Sequence, residues 1–411
     1  MIIFIDFLML TFNPFREFPK FPLKPRKVKN LSLLSQKMER IMNVEREIAG
    51  VAIPFTSGVL ISIYAESLFC NVSSIILIAS GLACSTLLLR DRLDLNQEVR
   101  YITIIIAACI CGIITGLTGS ELSIGLPDSP LKRLSALIGG KMQVAIEALP
   151  LESPDHISLI TALLTGERSS LPHHIIESFQ NSGASHILAL SGLHLGIIYG
   201  IISKTLSIMG NSIAAKRVRS FIIICICGLY TTATGAGPSI VRAFIFIIIG
   251  EAVRLSCRYH SLSQTFFISL IIQLVVCPMA TRSISFQLSY AAMAGIVFIY
   301  PWLSKLWPTE EITSGSGRIF EKAMKWIWDC ASLSISCQLT TAPLAYIYFG
   351  TFPTYFILTN LIALPLTGVL IPTALLTLCV SCIANCPPLL IKTTSCLIDL
   401  LLDSMEIIGS M

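Results

Sequence analysis

The sequence predicts an all-α, polytopic integral membrane protein, a helix bundle with about ten transmembrane helices. Of its 411 residues, 54% are hydrophobic and only 13% are charged, whereas a typical soluble domain carries about 25% charged residues. The apolar residues also stand in repeated runs of roughly 20, the length that a helix needs to cross the hydrocarbon core. These features indicate a chain that resides in a lipid bilayer.

Eleven apolar segments are candidates for the spans. They are residues 51–69, 71–90, 101–119, 184–203, 218–234, 238–255, 262–279, 283–304, 326–349, 354–383 and a weaker segment, 388–409. Segment 354–383 is too long for one straight span at about 1.5 Å per residue. It contains Pro365 and Pro372, and because proline removes a backbone donor, we expect a broken or re-entrant helix near Pro365.

The distribution of lysine and arginine predicts the orientation. Residues 1–50 are rich in both, and cytoplasmic loops of membrane proteins are enriched in these residues. Placing the N-terminus inside leaves most of the other basic loop residues inside as well, which predicts a multi-pass protein with a basic cytoplasmic N-terminal arm. Two interpretations of the arm stand: it sets the topology, or it also contacts anionic lipids or nucleic acid.

The predicted spans and the long loop between the third and fourth of them divide the rest of the chain into three parts. Residues 51–119 carry three N-terminal transmembrane helices, residues 120–158 form an outer-face connector, and residues 159–411 form the main membrane domain. In the connector, apolar residues recur at helical spacing after a proline-containing start signal at 127–130. We expect an amphipathic helix that lies on the membrane surface or packs on the bundle.

No metal or cofactor site is predicted. Most of the 14 cysteines lie inside apolar spans, where cysteine behaves as a small hydrophobic residue. Cys379 and Cys382 have the spacing of metal ligands, but no second pair accompanies them.

Small and polar residues interrupt four apolar segments. The first contains Ser191, Gly192 and His194 within one helical turn. These residues either pack against a neighbouring helix or include a Ser–His nucleophile pair. No third group of a catalytic triad can be identified in the sequence. In the second, a glycine-rich turn leads through Pro238 and Ser239 to Arg242. An arginine within a span pairs structurally, with Glu251 or a loop carbonyl, or contacts a passing anion. Glu251 itself is expected near the membrane interface.

The third and fourth segments continue the pattern. Gln287 and Ser289 lie in the third. The fourth carries a polar stripe through Ser336, Gln338 and Thr340 and continues to Asn360 and Pro365. One polar residue in a span is an ordinary interhelical contact. Several in different helices predict a hydrated interior.

In these four segments the chain resembles the ComEC-type competence proteins. The family's His-Leu-Leu-Ala-Ile-Ser-Gly-Leu-His signature is similar to residues 186–194, its Gly-x-x-Pro-Ser-x-x-Arg-Ala turn to 235–243, and its Phe-Gln-Leu-Ser segment to 286–289. Its last segment, with Asn360 and Pro365, follows, so that all four occur in order over residues 159–366. Their residues are the candidates for a DNA path: Ser191, Gly192, His194, Pro238, Ser239, Arg242, Gln287, Ser289, Ser336, Gln338, Thr340, Asn360 and Pro365.

The resemblance implies a non-enzymatic channel component of the bacterial inner membrane that passes single-stranded DNA into the cytoplasm during natural transformation. Its partners would be single-stranded DNA, membrane lipids, a separate nuclease, an outer-face DNA receptor and a cytosolic motor. The family's OB-like domain is not expected in residues 120–158, nor its metallo-β-lactamase-like domain within the chain. Three alternatives stand: a small-molecule secondary transporter, an intramembrane hydrolase, and a truncated, non-conducting paralogue.

Overall fold

The computed structural model describes residues 29–64, 97–123, 130–210, 212–256, 261–307, 315–350, 355–383 and 386–410. Across these stretches the backbone is almost entirely helical and contains no strand, which confirms the all-α class. The helices are α1 Lys29–Tyr64, α2 Gln97–Ser123, α3 Pro130–Glu147, α4 Pro154–Thr165, α5 His173–Asn181, α6 Ser185–Leu188, α7 Gly192–Leu206, α8 Ile213–Ala233, α9 Pro238–Ser256, α10 Leu262–Val276, α11 Ile284–Ala294, α12 Tyr300–Leu303, α13 Gly315–Phe349, α14 Phe356–Ile383 and α15 Pro388–Gly409. A π-helical turn, Gly295–Ile299, joins α11 to α12.

Two compact units divide the described residues. The smaller unit draws on residues 29–123 and 252–290, and the larger on residues 130–251 and 291–410. In the smaller unit, α1 and α2 pack with their backbones in close approach. Gly58 lies against the carbonyl of Cys109, and Gly112 against that of Phe55. Small residues permit such an approach in membranes.

The core of the larger unit is formed mainly by α4, α5, α14 and α15. In α15, the side chains of Ile398, Leu401, Met405 and Ile408 are all buried, at the spacing of one helical face. The Thr359 hydroxyl on α14 donates to the Ser182 carbonyl at 2.6 Å. This contact attaches α14 to the loop between α5 and α6.

Five described helical segments are long and apolar enough to cross a membrane. They are Val44–Tyr64, Tyr101–Gly119, Gly192–Met209, Ile284–Leu306 and Phe356–Ile383. The expected number of about ten spans is therefore not confirmed. Most of the other predicted segments are helical, but they are shorter or carry ionisable and polar residues, and segment 71–90 lies outside the described residues. Because α1 begins at Lys29, it also runs through the domain boundary expected between residues 50 and 51.

The expected break near Pro365 is wrong. α14 is a continuous helix with Pro365 and Pro372 inside it. Close to these prolines, the Thr367 hydroxyl donates to the Ala363 carbonyl at 2.8 Å, and Thr373 donates to carbonyls one turn earlier. These carbonyls neighbour the two that the prolines leave without an N–H donor, those of Leu361 and Gly368.

The connector helix α3 begins at Pro130, within the predicted start signal. A Cβ at Gly139 would lie 2.8 Å from the Ala233 carbonyl of α8, and Ile146 is fully buried in the core. On other parts of its surface, Leu137 is 58% and Val144 65% exposed. One face of α3 thus packs on the helices of the larger unit, and other positions present apolar side chains outward.

Candidate functional site

An interruption of the helix at residues 189–191, within predicted segment 184–203, creates the N-terminus of α7. α6 ends at Leu188, Ser191 is extended, and α7 begins at Gly192. The prediction of one uninterrupted span from residue 184 is therefore wrong. The Ser191 hydroxyl accepts a hydrogen bond from the Leu193 N–H at 3.2 Å and caps the new helix.

His194 completes this cap from the first turn of α7. Its Nδ1 accepts the Ser191 backbone N–H at 3.2 Å and lies 3.1 Å from the Ser191 hydroxyl oxygen. The side chain is only 1% exposed, and its Nε2 atom has no hydrogen-bond partner among the described residues. The serine and histidine predicted to share a side of one helix therefore meet as a capping box.

The turn between α8 and α9 follows its prediction. Gly235 and Ala236 have φ angles of 81° and 51°, in the left-handed region that reverses a chain. α9 then begins at Pro238, the first-turn position that proline favours. Arg242 consequently lies about one turn inside α9 and is only 9% exposed.

Gly192 and Arg242 bring the first two motifs together. A Cβ added at Gly192 would lie 3.1 Å from Nη2 of Arg242, 3.2 Å from the Ala243 Cβ and 3.9 Å from the Ser239 carbonyl. The start of α7 therefore packs directly on α9, with the guanidinium against the first residue of α7. Five predicted site residues meet here: Ser191, Gly192, His194, Ser239 and Arg242.

The loop after α4 supports the stretch that precedes the cap. Gly166 ends α4 with φ 83°, and a Cβ there would lie 3.1 Å from the Leu190 Cβ. Hydrogen bonds from the side chain and backbone of Ser169 hold the pKa of Glu167 below its ordinary value. Gly166 thus packs against Leu190, the residue that precedes Ser191.

Asn360 of α14 contacts α13 in the larger unit. Its Nδ2 donates to the Ser334 hydroxyl of α13 at 3.3 Å, and its buried Oδ1 has no hydrogen-bond partner among the described residues. The contact joins α14 to α13.

The polar stripe of α13 makes a tight helix contact. A Cβ at Gly295 would meet the Ser336 carbonyl and lie 2.8 Å from the Thr340 hydroxyl oxygen. The hydroxyls of Ser336 and Thr340 donate to carbonyls of their own helix. Gln338 is half-buried on α13.

The third motif belongs to the other unit. Gln287 donates to the Thr281 carbonyl at 2.8 Å and lies 3.5 Å from the Tyr64 hydroxyl. Ser289 is half-buried on the same helix. The structure therefore groups both residues with the smaller unit and Arg242 with the larger.

Glu251, which the sequence predicts near the membrane interface, is fully buried within the larger unit. Its carboxylate accepts hydrogen bonds from the Tyr199 hydroxyl at 2.9 Å and the Ser220 hydroxyl at 2.6 Å. Nine residues separate it from Arg242, about 13 Å along α9 and on the opposite side, which excludes the suggested direct pair. An acidic residue in an apolar helix was the available signal for this junction of α7, α8 and α9.

His156 and Asp399 form a second polar contact that sequence reasoning missed. His156 Nε2 lies 2.8 Å from Asp399 Oδ1, with the histidine buried and the aspartate half-exposed. The pair joins α4 to α15. Because 243 residues separate the two, no local spacing could have indicated it.

A recess with a volume of about 360 Å³ lies in the smaller unit. It is lined by Arg46, Ala49, Gly50, Ile53, Pro54, Tyr101 and Ile105. None of the predicted site residues is among them.

Ser191 and His194 do not form a complete catalytic triad with any described residue. In a catalytic triad, the histidine accepts from serine with one nitrogen and donates to a carboxylate with the other. No carboxylate among the described residues accepts from His194 Nε2. What meets here is a buried guanidinium and the positive end of a helix, an environment that favours an anion.

The apolar helices and this buried cationic site define an α-helical membrane protein with a candidate anion-binding centre. Residues 163–411, more than half of the chain, match the family model described as Competence protein. The chain belongs to this family, which confirms the resemblance seen in its motifs.

Three curated relatives are similar to the chain. ComE operon protein 3 of Bacillus subtilis is 24% identical over 222 residues, covering 53% of this chain and 25% of the relative. YcaI of Escherichia coli is 25% identical over 265 residues, covering 63% of this chain and 33% of the relative. Recombination protein 2 of Haemophilus influenzae is 24% identical over 220 residues, covering 52% of this chain and 27% of the relative. The chain thus spans a quarter to a third of the length of these relatives. No solved structure matches it.

Proposed function

We propose that the protein is a channel component that passes single-stranded DNA across the bacterial inner membrane into the cytoplasm during natural transformation. In this proposal it crosses the membrane several times with its N-terminus in the cytoplasm. Membership of the Competence protein family supports the role in DNA uptake. The chain's own residues provide binding and passage, and no catalytic step.

The meeting of Gly192 and Arg242 is the observation that carries the proposal. Each nucleotide brings one negative charge, and an uncompensated charge in hydrocarbon costs several kcal/mol. A path for DNA therefore needs buried positive charge, and Arg242 is buried beside the positive end of α7. Such groups contact phosphates rather than bases, so passage should not depend on base sequence.

Other proteins would supply the remaining steps. The chain contains no phosphate-binding loop of the nucleotide-hydrolysing kind, so a cytosolic motor would draw the strand inward. A separate nuclease would provide the single strand, and an outer-face receptor would deliver the DNA.

A reconstitution experiment tests the proposal. The purified full chain is placed in liposomes that enclose a single-strand-binding protein, labelled oligothymidylate is added outside, and the label protected from external nuclease is measured. We expect protection well above that of empty liposomes, and about a tenfold lower rate for Arg242→Gln, which removes a charge-assisted contact. Arg254→Gln, twelve residues along α9, is the matched control and should behave like the wild type.

The alternatives predict different results in the same liposomes. A small-molecule secondary transporter would move small solutes and leave the oligonucleotide outside. A non-conducting paralogue would move neither. Either result would overturn the proposal, as would equal rates for wild type and Arg242→Gln.

A further inference from the structure

The beginnings of the candidate spans of α1 and α2 lie side by side in the smaller unit. A Cβ at Gly50 would lie 3.2 Å from Cζ of Tyr101, and further along both helices Gly58 approaches the carbonyl of Cys109. Because position advances in the same direction on both helices, α1 and α2 are parallel. Arg46, in the first turn of one span, and Tyr101, the first residue of the other, therefore lie at the same end.

The recess of about 360 Å³ in the smaller unit opens at this end. Its five lining residues on α1, from Arg46 to Pro54, follow the i, i+3, i+4, i+7 and i+8 spacing of one helical face. Because Ala49 and Gly50 carry so little side chain, space remains beside the α2 residues that complete the lining. The volume lies within the range of about 300–1,000 Å³ that is usual for ligand sites.

The interior of the recess is apolar. Ala49, Ile53, Pro54 and Ile105 give it a hydrocarbon surface. Ile53 is 58% exposed and Tyr101 47% exposed, so the recess opens to the outside of the helix pair. For two helices that cross a bilayer, the outside at this level is lipid.

Arg46 is the charged residue of the lining. It is exposed and forms no ion pair with another described residue. The adjacent Glu45 and Glu47 lie about 100° away on either side of the helix, and neither lines the recess. The recess therefore combines an apolar interior with one cation at its end.

This combination matches an amphiphile with an acyl chain and an anionic head group. Arginine and tyrosine at the start of a span lie at the level of the lipid head groups. The orientation predicted from the basic residues puts this end at the cytoplasmic leaflet, where basic pockets between membrane helices bind anionic head groups. A nucleic acid would meet the cation but leave the apolar surface uncovered.

We infer that the recess between α1 and α2 binds one anionic phospholipid of the cytoplasmic leaflet. Its phosphate contacts the Arg46 guanidinium, and one acyl chain lies along Ile53, Pro54 and Ile105. This inference does not depend on the passage of DNA. Of the two interpretations of the basic N-terminal arm, it assigns contact with anionic lipid to Arg46.

Two lipids with the same acyl chains test the head-group contact. Dioleoylphosphatidylglycerol or dioleoylphosphatidylcholine is titrated into the purified full chain in detergent, and bound lipid is measured by native mass spectrometry. We expect the anionic lipid to bind more tightly, and Arg46→Gln to weaken its binding about fivefold, the contribution of one arginine near an anionic head group. Arg217→Gln, at an exposed position on α8, is the matched control and should bind like the wild type.

Filling the recess tests the acyl-chain contact. In Ala49→Phe the new ring occupies the space beside Gly50, so both lipids should bind more weakly. Ile61→Phe, at an exposed position of α1 outside the recess, is the control and should bind both normally. Glycerol phosphate, which has the head-group anion without acyl chains, should not displace phosphatidylglycerol from the wild type.

Four results would overturn the inference: equal affinity for the two lipids, unchanged phosphatidylglycerol binding in Arg46→Gln, the same loss in Arg217→Gln, or unchanged binding in Ala49→Phe. Displacement by glycerol phosphate would reduce the site to an anion contact and remove the acyl chain from it. Displacement of phosphatidylglycerol by oligothymidylate would assign Arg46 to nucleic acid and overturn the lipid assignment.

Discussion

Replacing Gly192 by alanine should displace the Arg242 guanidinium. The new Cβ would lie 3.1 Å from Nη2 and 3.2 Å from the Ala243 Cβ, closer than nine in ten real Cβ contacts. The guanidinium can move by rotating its side chain. The Ala243 Cβ is fixed to the backbone, so α7 and α9 must separate by a few tenths of an ångström.

The stability effect is the balance of two opposed contributions. Overpacking a tight contact costs about 1–3 kcal/mol, whereas replacing glycine by alanine in a helix gains up to about 1 kcal/mol. We therefore expect a net loss of up to about 2 kcal/mol in Gly192→Ala. Gly250→Ala, inside α9 and with no atom within 4 Å of its new Cβ, should be neutral or slightly stabilising.

Thermal unfolding in detergent measures the stability of both variants, and oligothymidylate binding measures the displacement of the guanidinium. Gly192→Ala should unfold at a lower temperature than wild type and bind more weakly, while Gly250→Ala should do neither. Equal stability and equal binding of the two variants would show that the close approach of α7 to α9 is not present in the folded protein.

Two further predictions concern contacts away from the start of α7. Glu251→Ala leaves two buried hydroxyls without their carboxylate acceptor, at a cost of about 1–3 kcal/mol for each unsatisfied group, and should strongly lower the melting temperature. Glu406→Ala, at an exposed position, is the control and should leave the melting temperature unchanged. Similar melting temperatures for the two variants would contradict a stabilising role for Glu251. Alanine substitutions of His156 and Asp399, singly and together, should show a coupling energy of about 0.5–3 kcal/mol, and additive effects would mean that the 2.8 Å contact contributes nothing.

Sequence patterns predicted helices best where a single periodicity governs the segment. The predicted segment 101–119 coincides with the candidate span Tyr101–Gly119, because its apolar run is unbroken by charge. The predicted segment 388–409 coincides with α15. The turn before Pro238 was equally predictable, because glycine and proline restrict the backbone locally.

The start of α7 was not predictable from hydropathy. Residues 184–203 are apolar enough for one span, and hydropathy does not register an interruption of the helix. The signal was chemical: a serine followed three residues later by a side chain that can accept its backbone N–H, as in a capping box. Histidine at this position replaces the usual glutamate or glutamine, which is why Ser191 and His194 suggested a pair on one helix and not a cap.

The continuity of α14 shows why proline alone is a poor guide to helix breaks in an apolar environment. In water, carbonyls freed by Pro365 and Pro372 could bond to solvent, and the helix could end at little cost. In hydrocarbon, each unsatisfied backbone group costs several kcal/mol, so unwinding a turn loses more than the prolines remove. Threonines at 367 and 373 donate to carbonyls near the prolines, and the helix continues for 28 residues, about 42 Å. This length exceeds a hydrocarbon core of about 30 Å, so α14 can cross only by tilting or by extending beyond the core. If DNA passes close to Asn360, it therefore passes beside an intact helix, and the positive charge along its route must come from side chains and from the start of α7.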